Sequence, residues 1–239
     1  MKTKRLIITL LALIAATPTI GSTYLLSIDN RQFTPTSSPI TTVSVSPTNV
    51  TAQLEIDQTF IINITLSNVN DLYVWQVGMT FNSTILEALS FAEGSFLKEI
   101  GTTLWAPGTI NNTVGIIHYH ASALAANVTG ASGNGTLGTI TFKVKGYGNS
   151  TLPLTEVIML DSQLESTNKT LIHGAVRVKI PGDLNGDEIV NAIDLAALAR
   201  TYGSSPSSPN WNAEADINGD LIVNELDLAM LDKHYSETT

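Results

Sequence analysis

Gln58 to Leu66 reads QTFIINITL, in which apolar and polar residues alternate and Phe60, Ile62, Ile64 and Leu66 fall on one face. A period of two belongs to a half-buried β-strand, because successive side chains point to opposite sides of a pleated sheet. The same texture runs outward from it. LYVWQVGMTF (72–81), TVGIIHYHASAL (113–124), TLGTITFKVKG (136–146) and GAVRVKI (174–180) are further strand candidates, rich in β-branched and aromatic residues. The clusters NVND (68–71), GTINN (108–112), GASGNG (130–135) and GYGNS (146–150) read as the turns between them. FAEGSFLKEIG (91–101) suggests a helical turn. Residues 43–180 therefore describe a mainly β domain, a sandwich of jelly-roll or Greek-key character.

At Pro181-Gly182 the alternation stops. Two units of loop followed by amphipathic helix take over, separated by SSPSSPNW (204–211), and residues 182–239 read as a small all-α domain. A segment of 58 residues buries too little apolar surface to hold itself together easily. The loops supply a staple. Asp183 to Asp194 reads DLNGDEIVNAID, and Asp216 to Asp227 reads DINGDLIVNELD. Oxygen-bearing residues at positions 1, 3, 5, 7, 9 and 12 match a calcium loop of the EF-hand type, since a hard cation wants six to eight oxygens from a tightly wound chain. The first loop offers the side chains of Asp183, Asn185 and Asp187, the carbonyl of Ile189, then Asn191 and Asp194. The second offers Asp216, Asn218, Asp220, Ile222, Asn224 and Asp227, so two calcium ions are expected. Magnesium fits less well, because it demands a smaller octahedral site. Asn191 and Asn224 also suit the N-caps of the following helices, with Asp194 and Asp227 closing capping boxes. Position 6, ordinarily glycine, is Glu188 in one loop and Leu221 in the other. A positive φ there would strain a residue with a Cβ.

Charge follows the same division. The chain has 239 residues and a formal charge of −9; residues 182–239 hold eleven acidic and two basic side chains, while residues 43–181 hold nine and six. Such acidity argues against nucleic-acid binding. With no cysteine, disulfides and thiolate metal sites are excluded. Residues 1–23 combine a basic start, the apolar LIITLLALIAA and a small-residue stretch, which reads as a signal peptide, with an uncleaved anchor as the alternative. Residues 24–42 follow as a Ser/Thr/Pro-rich spacer. Eight N-x-S/T sequons, at Asn49, Asn63, Asn82, Asn111, Asn127, Asn134, Asn149 and Asn168, agree with an extracellular or cell-surface location and a glycosylatable sandwich.

The duplicated DxNGDxxVNxxDLAxL segments, each ending in a basic residue (Arg200, Lys233) and Tyr, resemble a dockerin domain over residues 182–239. The resemblance implies calcium-dependent folding and a helical face that docks onto a cohesin. The matching face positions are Ala192, Ile193 and Arg200 on one helix and Glu225, Leu226 and Lys233 on the other. The Ser/Thr pair that dockerins often carry at positions 10 and 11 is replaced by Ala192-Ile193 and Glu225-Leu226, so partner specificity does not carry over. The pseudo-two-fold would allow two docking orientations. LYVWQVGMTFNSTILEALSFAEGSFL (72–97), GNGTLGTITFKVKG (133–146) and the closing GAVRVKI make the sandwich similar to a cohesin.

Catalytic constellations are weak. His118 and His120, two apart on a strand, read as alternate residues on a solvent-facing sheet, for want of a third zinc ligand. Glu87, Glu93, Glu99 and Glu156 give no selectable glycosidase pair. Tyr73, Trp75, Trp105 and Tyr119 suggest a rival, a sugar-stacking face, although Trp75 suits the core. The expectation is a non-catalytic adaptor whose partners carry cohesins or dockerins. It serves extracellular polysaccharide degradation or surface assembly and is able to join head to tail; the alternative is a sandwich that binds polysaccharide. The short Pro-Gly junction speaks against one molecule's halves folding onto each other.

Overall fold

The computed structural model describes residues 40–125 and 129–239. The signal-peptide segment, most of the spacer and the Asn127 sequon lie outside the described residues.

Among the described residues the sandwich holds twelve strands: β1 (Thr41–Ser46), β2 (Asn49–Gln53), β3 (Thr59–Thr80), β4 (Leu86–Glu93), β5 (Thr103–Ala106), β6 (Thr109–Asn111), β7 (Ile116–Leu124), β8 (Ala131–Val144), β9 (Gly148–Leu152), β10 (Leu154–Asp161), β11 (Lys169–Ile172) and β12 (Gly174–Lys179). QTFIINITL opens β3, and Ile62, Ile64 and Leu66 are buried as the alternation demands. The chain does not turn back at NVND. Asn68 and Asp71 take φ of 56° and 60° inside β3, a conformation short polar side chains tolerate, and the strand continues to Thr80. GASGNG likewise enters β8 and pairs across this corner, Gly133 with Val69 and Ala131 with Leu72. Turn-forming residues thus bend two paired strands together without ending either.

The corner lets β3 serve two layers. Its first half pairs with β1 and β8, and β8 in turn with β4. Its second half pairs with β10 and β7, and β7 with β5 and β6. A separate sheet runs β2-β12-β9. Between the layers lie Trp75, Phe142, Ile62, Ile64, Met79 and their neighbours. FAEGSFLKEIG forms hydrogen-bonded turns, Glu99 N donating to Ser95 O and Gly101 N to Leu97 O.

Beyond β12 come α1 (Ala192–Thr201) and α2 (Glu225–Lys233), with a core of Ile180, Val190, Leu198, Ile217, Val223 and Leu231. Gly182 has φ of 95°, and a Cβ there would stand 3.0 Å from the Cα of Leu231, so the junction can press against α2 only as glycine. The halves do fold onto each other, against the expectation from the short junction. Ile180 and Tyr147 join the helical core, and Lys179 pairs with Glu214 at 2.6 Å. Arg177 donates to Gly186 O at 3.3 Å, and Glu55 meets Lys233 at 3.0 Å and His234 at 3.2 Å. A short junction leaves the acidic domain beside the sandwich end, which meets it with Arg177 and Lys179, while Glu55 takes the domain's own Lys233 and His234.

Candidate calcium loops and docking surface

Each loop is wound by its own side chains. Asp183 accepts the N–H of Gly186 (2.8 Å) and of Glu188 (3.2 Å); Asp216 accepts those of Asp220 (3.1 Å) and Leu221 (3.0 Å). Asn185 and Asn218 each donate to the aspartate two residues on, Asp187 (2.8 Å) and Asp220 (2.9 Å). Asp220 is held below the usual carboxylate range, chiefly by the Asn218 amide, with the Ile222 N–H and the Asn224 amide adding to it. Glu188 and Leu221 sit at φ of 71° and 70°, so position 6 does require the left-handed turn that glycine would enter without strain.

The helices start as their sequences indicate. Asn191 caps α1 by accepting from Ile193 N at 2.8 Å, and Asp194 returns the bond from Asn191 N at 2.9 Å. Asn224 and Asp227 repeat this on α2 at 2.7 and 2.8 Å. The other oxygen of Asp194 takes the N–H of Leu184 (2.9 Å) and Asn185 (3.1 Å), and that of Asp227 takes Ile217 (2.7 Å) and Asn218 (3.1 Å). Both carboxylates are fully buried. Three N–H donors apiece stabilise that buried charge. The donor chemistry suits a hard cation, being oxygen throughout. Among the described residues no cluster of three or more Asp, Glu or His side chains forms a metal centre, so an ion would draw also on asparagine and main-chain oxygens.

One feature was missed in the sequence. Val190 exchanges two main-chain hydrogen bonds with Ser236 and Glu237, while Val223 exchanges two with Gly203 and Ser204. Each loop is closed by the chain leaving the other repeat's helix. Valine at position 8 of both loops, and the 33-residue spacing of Gly203 and Ser236, were the available signals.

The residues expected to meet a partner lie outside the core. Ile193 is 61% and Leu226 55% exposed; Ala192, Arg200, Glu225 and Lys233 are exposed as well. Leu195, Leu228, Ala229 and Tyr235 line an apolar groove beside them. Lys233 differs from the rest in being bound to Glu55 of the sandwich.

The two histidines do not share a solvent-facing surface. Tyr119 takes φ of 54° and the register of β7 shifts against β3 there, so the alternation slips. His118 stays half-exposed, 3.5 Å from Glu156. His120 is buried and stacked on Phe91, with Trp105 beyond at 5.8 Å, and burial pushes its pKa down to about 4. Gly108 N donates to His120 Nδ1 at 3.2 Å, which leaves the proton on Nε2, a buried atom with no partner. Tyr73 and Trp75 are buried, and Trp105 packs against Trp75 at 5.9 Å, so these rings belong to the core. The glutamates are separately engaged: Glu87 by Lys143, Glu93 by Lys98 and Ser122, Glu99 by Ser95. Of the described sequons, Asn49, Asn82, Asn111, Asn134, Asn149 and Asn168 are exposed; Asn63 is half-buried.

A family model described as the cohesin domain matches residues 43–178, and one described as the dockerin type I domain matches residues 181–235. Among solved structures the chain is similar to a non-cellulosomal cohesin from the hyperthermophilic archaeon Archaeoglobus fulgidus, at 18% identity over 58% of this chain and 91% of that one, TM-score 0.47. A chain of the OlpC cohesin–Doc435 complex from Clostridium thermocellum matches at 17% identity over 58% and 93%, TM-score 0.48. One from the complex of the sixth scaffoldin B cohesin of Acetivibrio cellulolyticus with a Cel5 dockerin matches at 18% over 59% and 99%, TM-score 0.48. Among curated proteins none matches.

Proposed function

This chain belongs to the cohesin family and carries a dockerin domain behind its cohesin domain, and from this we propose that it is a secreted or surface-attached adaptor that links head to tail. The observation that carries the reading is the presence of both complementary interaction domains in one chain. Neither is a catalytic domain. A receiving surface and a docking surface on one molecule make a heterologous contact, which propagates into chains unless the geometry closes a ring. Successive contacts raise the effective concentration for the next, so modest affinities suffice.

Calcium binding is typical of dockerins. The finer proposal is two ions, one in the loop of Asp183, Asn185, Asp187, Ile189, Asn191 and Asp194, and one in that of Asp216, Asn218, Asp220, Ile222, Asn224 and Asp227. Its support is the all-oxygen donor set and the matched hydrogen-bonded winding of the loops. Docking would use Ala192, Ile193 and Arg200, or Glu225, Leu226 and Lys233. Export is supported by the signal-like residues 1–23 and by the exposed sequons. A setting in extracellular polysaccharide degradation or surface assembly is the part of the proposal that rests on family resemblance alone.

Sedimentation velocity of the full chain tests it. In calcium the weight-average mass should rise with concentration, and a chelator should return it to the monomer. Association that ignores the chelator, or a monomer at every concentration, would sink the calcium-dependent head-to-tail reading.

A further inference from the structure

The internal repeat maps Arg200 onto Lys233 and Thr201 onto His234. Two equal edges would need these pairs to have equal surroundings, and they do not. Lys233 Nζ lies 3.0 Å from both carboxylate oxygens of Glu55, a sandwich residue. The His234 ring is buried, with Nε2 at 3.2 Å from Glu55, Nδ1 at 3.0 Å from Glu237, and the Tyr147 ring standing edge-on to it. At the matching place on α1, Thr201 turns inward to donate to Leu198 O, and Arg200 stays exposed.

We infer that the C-terminal domain offers one docking edge, not two. The chain's own sandwich holds the α2 edge through Glu55, and the α1 edge of Ala192, Ile193 and Arg200 receives the cohesin domain of a second copy. The inference rests on the docking reading above and adds the orientation.

Three further observations support it. Burial pushes the Glu55 carboxyl up, yet Lys233 and His234 together hold it below its ordinary range, so the charged latch is the favoured state. Lys179 with Glu214, and Arg177 with Gly186 and Glu188, fix the domain at other points, so the α2 edge cannot swing free by breaking one contact. The basic residue closing α2 already meets a carboxylate on a sandwich. Arg200 has the same chemistry to offer, and residues 43–181 of a second copy present nine acidic side chains against six basic ones.

The test uses the full chain in calcium and two variants. Ile193 is exposed, so Ile193→Asp spares the fold and strikes the α1 edge. With one working edge, association should weaken by about 30-fold or more. Two equal edges would lose only a statistical factor of about two. Adding Glu55→Gln, Arg177→Ala and Lys179→Ala together to Ile193→Asp should free the α2 edge and restore much of the association. Zero-length carbodiimide coupling of the monomer fraction should join Glu55 to Lys233 within one chain. A loss of twofold or less in Ile193→Asp, or no such coupled product, overturns the inference while leaving the docking reading intact. A wild-type chain that never associates overturns both.

Discussion

The carbonyl of Val190 in the first loop accepts the N–H of Ser236, at 2.8 Å, from the chain that leaves the second helix. The mirror contact joins Val223 to Gly203 at 2.7 Å. Gly203 and Ser236 share a left-handed backbone, with φ of 79° and 72°, which turns the chain back towards the opposite loop. Neither repeat is complete alone, because each loop borrows its last strand-like contact from the other. Duplication is therefore a structural requirement of this small domain as well as a feature of its surface.

Ser236→Pro should break that exchange. Proline lacks the N–H that Val190 accepts, and its ring cannot reach a positive φ, which together cost about 3 kcal/mol or more. The melting temperature should fall, and calorimetric titration should show the first loop losing calcium affinity before the second. Ser236→Gly, which keeps the N–H and suits the backbone, should not lower it. An unchanged melting temperature in the proline variant would show that the clasp contributes little.

Leu221→Gly should stabilise the domain. Leu221 is 60% exposed at φ of 70°, so its side chain gains little from packing while its backbone is strained. Relief is worth about 1 kcal/mol, read as a higher unfolding midpoint in calcium. Glu188→Gly should gain less, because Glu188 also meets Arg177 and Thr239. The order of the two variants is the check.

The loops and helix starts were legible because their determinants are local. Asp183 to Asp194 contains its own donors, acceptors and cap, and the doubled pattern removed ambiguity. Strand character was legible for the same reason in QTFIINITL and GAVRVKI. What escaped depended on partners distant in sequence. Asn68 and Asp71 carry turn chemistry, but pairing with β8 converts it into a corner within one strand. His118 and His120 looked equivalent until the bulge at Tyr119 separated their faces. Glu55 and Lys233 are 178 residues apart, and no local pattern announces their contact.

His120 predicts acid sensitivity in the sandwich. Its folded pKa is lowered from 6.5 to about 4, so the unfolded chain binds more protons between those values. Stability is whole above pH 6.5 and declines as pH falls through that window, by about 2–3 kcal/mol after discounting for partial solvent screening. Urea unfolding at pH 7 and pH 4.5 should show it. His120→Phe keeps a ring packed against Phe91 and Trp105 and should flatten the acid branch. An equal decline in that variant would place the sensitivity elsewhere.

Asp194→Asn separates the loop's own hydrogen bonding from any contribution of metal. The carboxylate accepts three N–H groups through its two oxygens, from Asn191 on one side and from Leu184 and Asn185 on the other. An amide of the same shape presents NH2 to one of those sides, leaving buried donors facing a donor. Hydrogen bonds to a charged acceptor are worth about 1.5–3 kcal/mol. The variant should therefore lose helical circular dichroism at a lower temperature even in excess chelator. In calcium the deficit should widen, because a neutral amide at position 12 also removes a charged ligand. If the two proteins melt together in chelator and diverge only in calcium, Asp194 serves the ion alone and the capping contribution argued from its three donors is negligible.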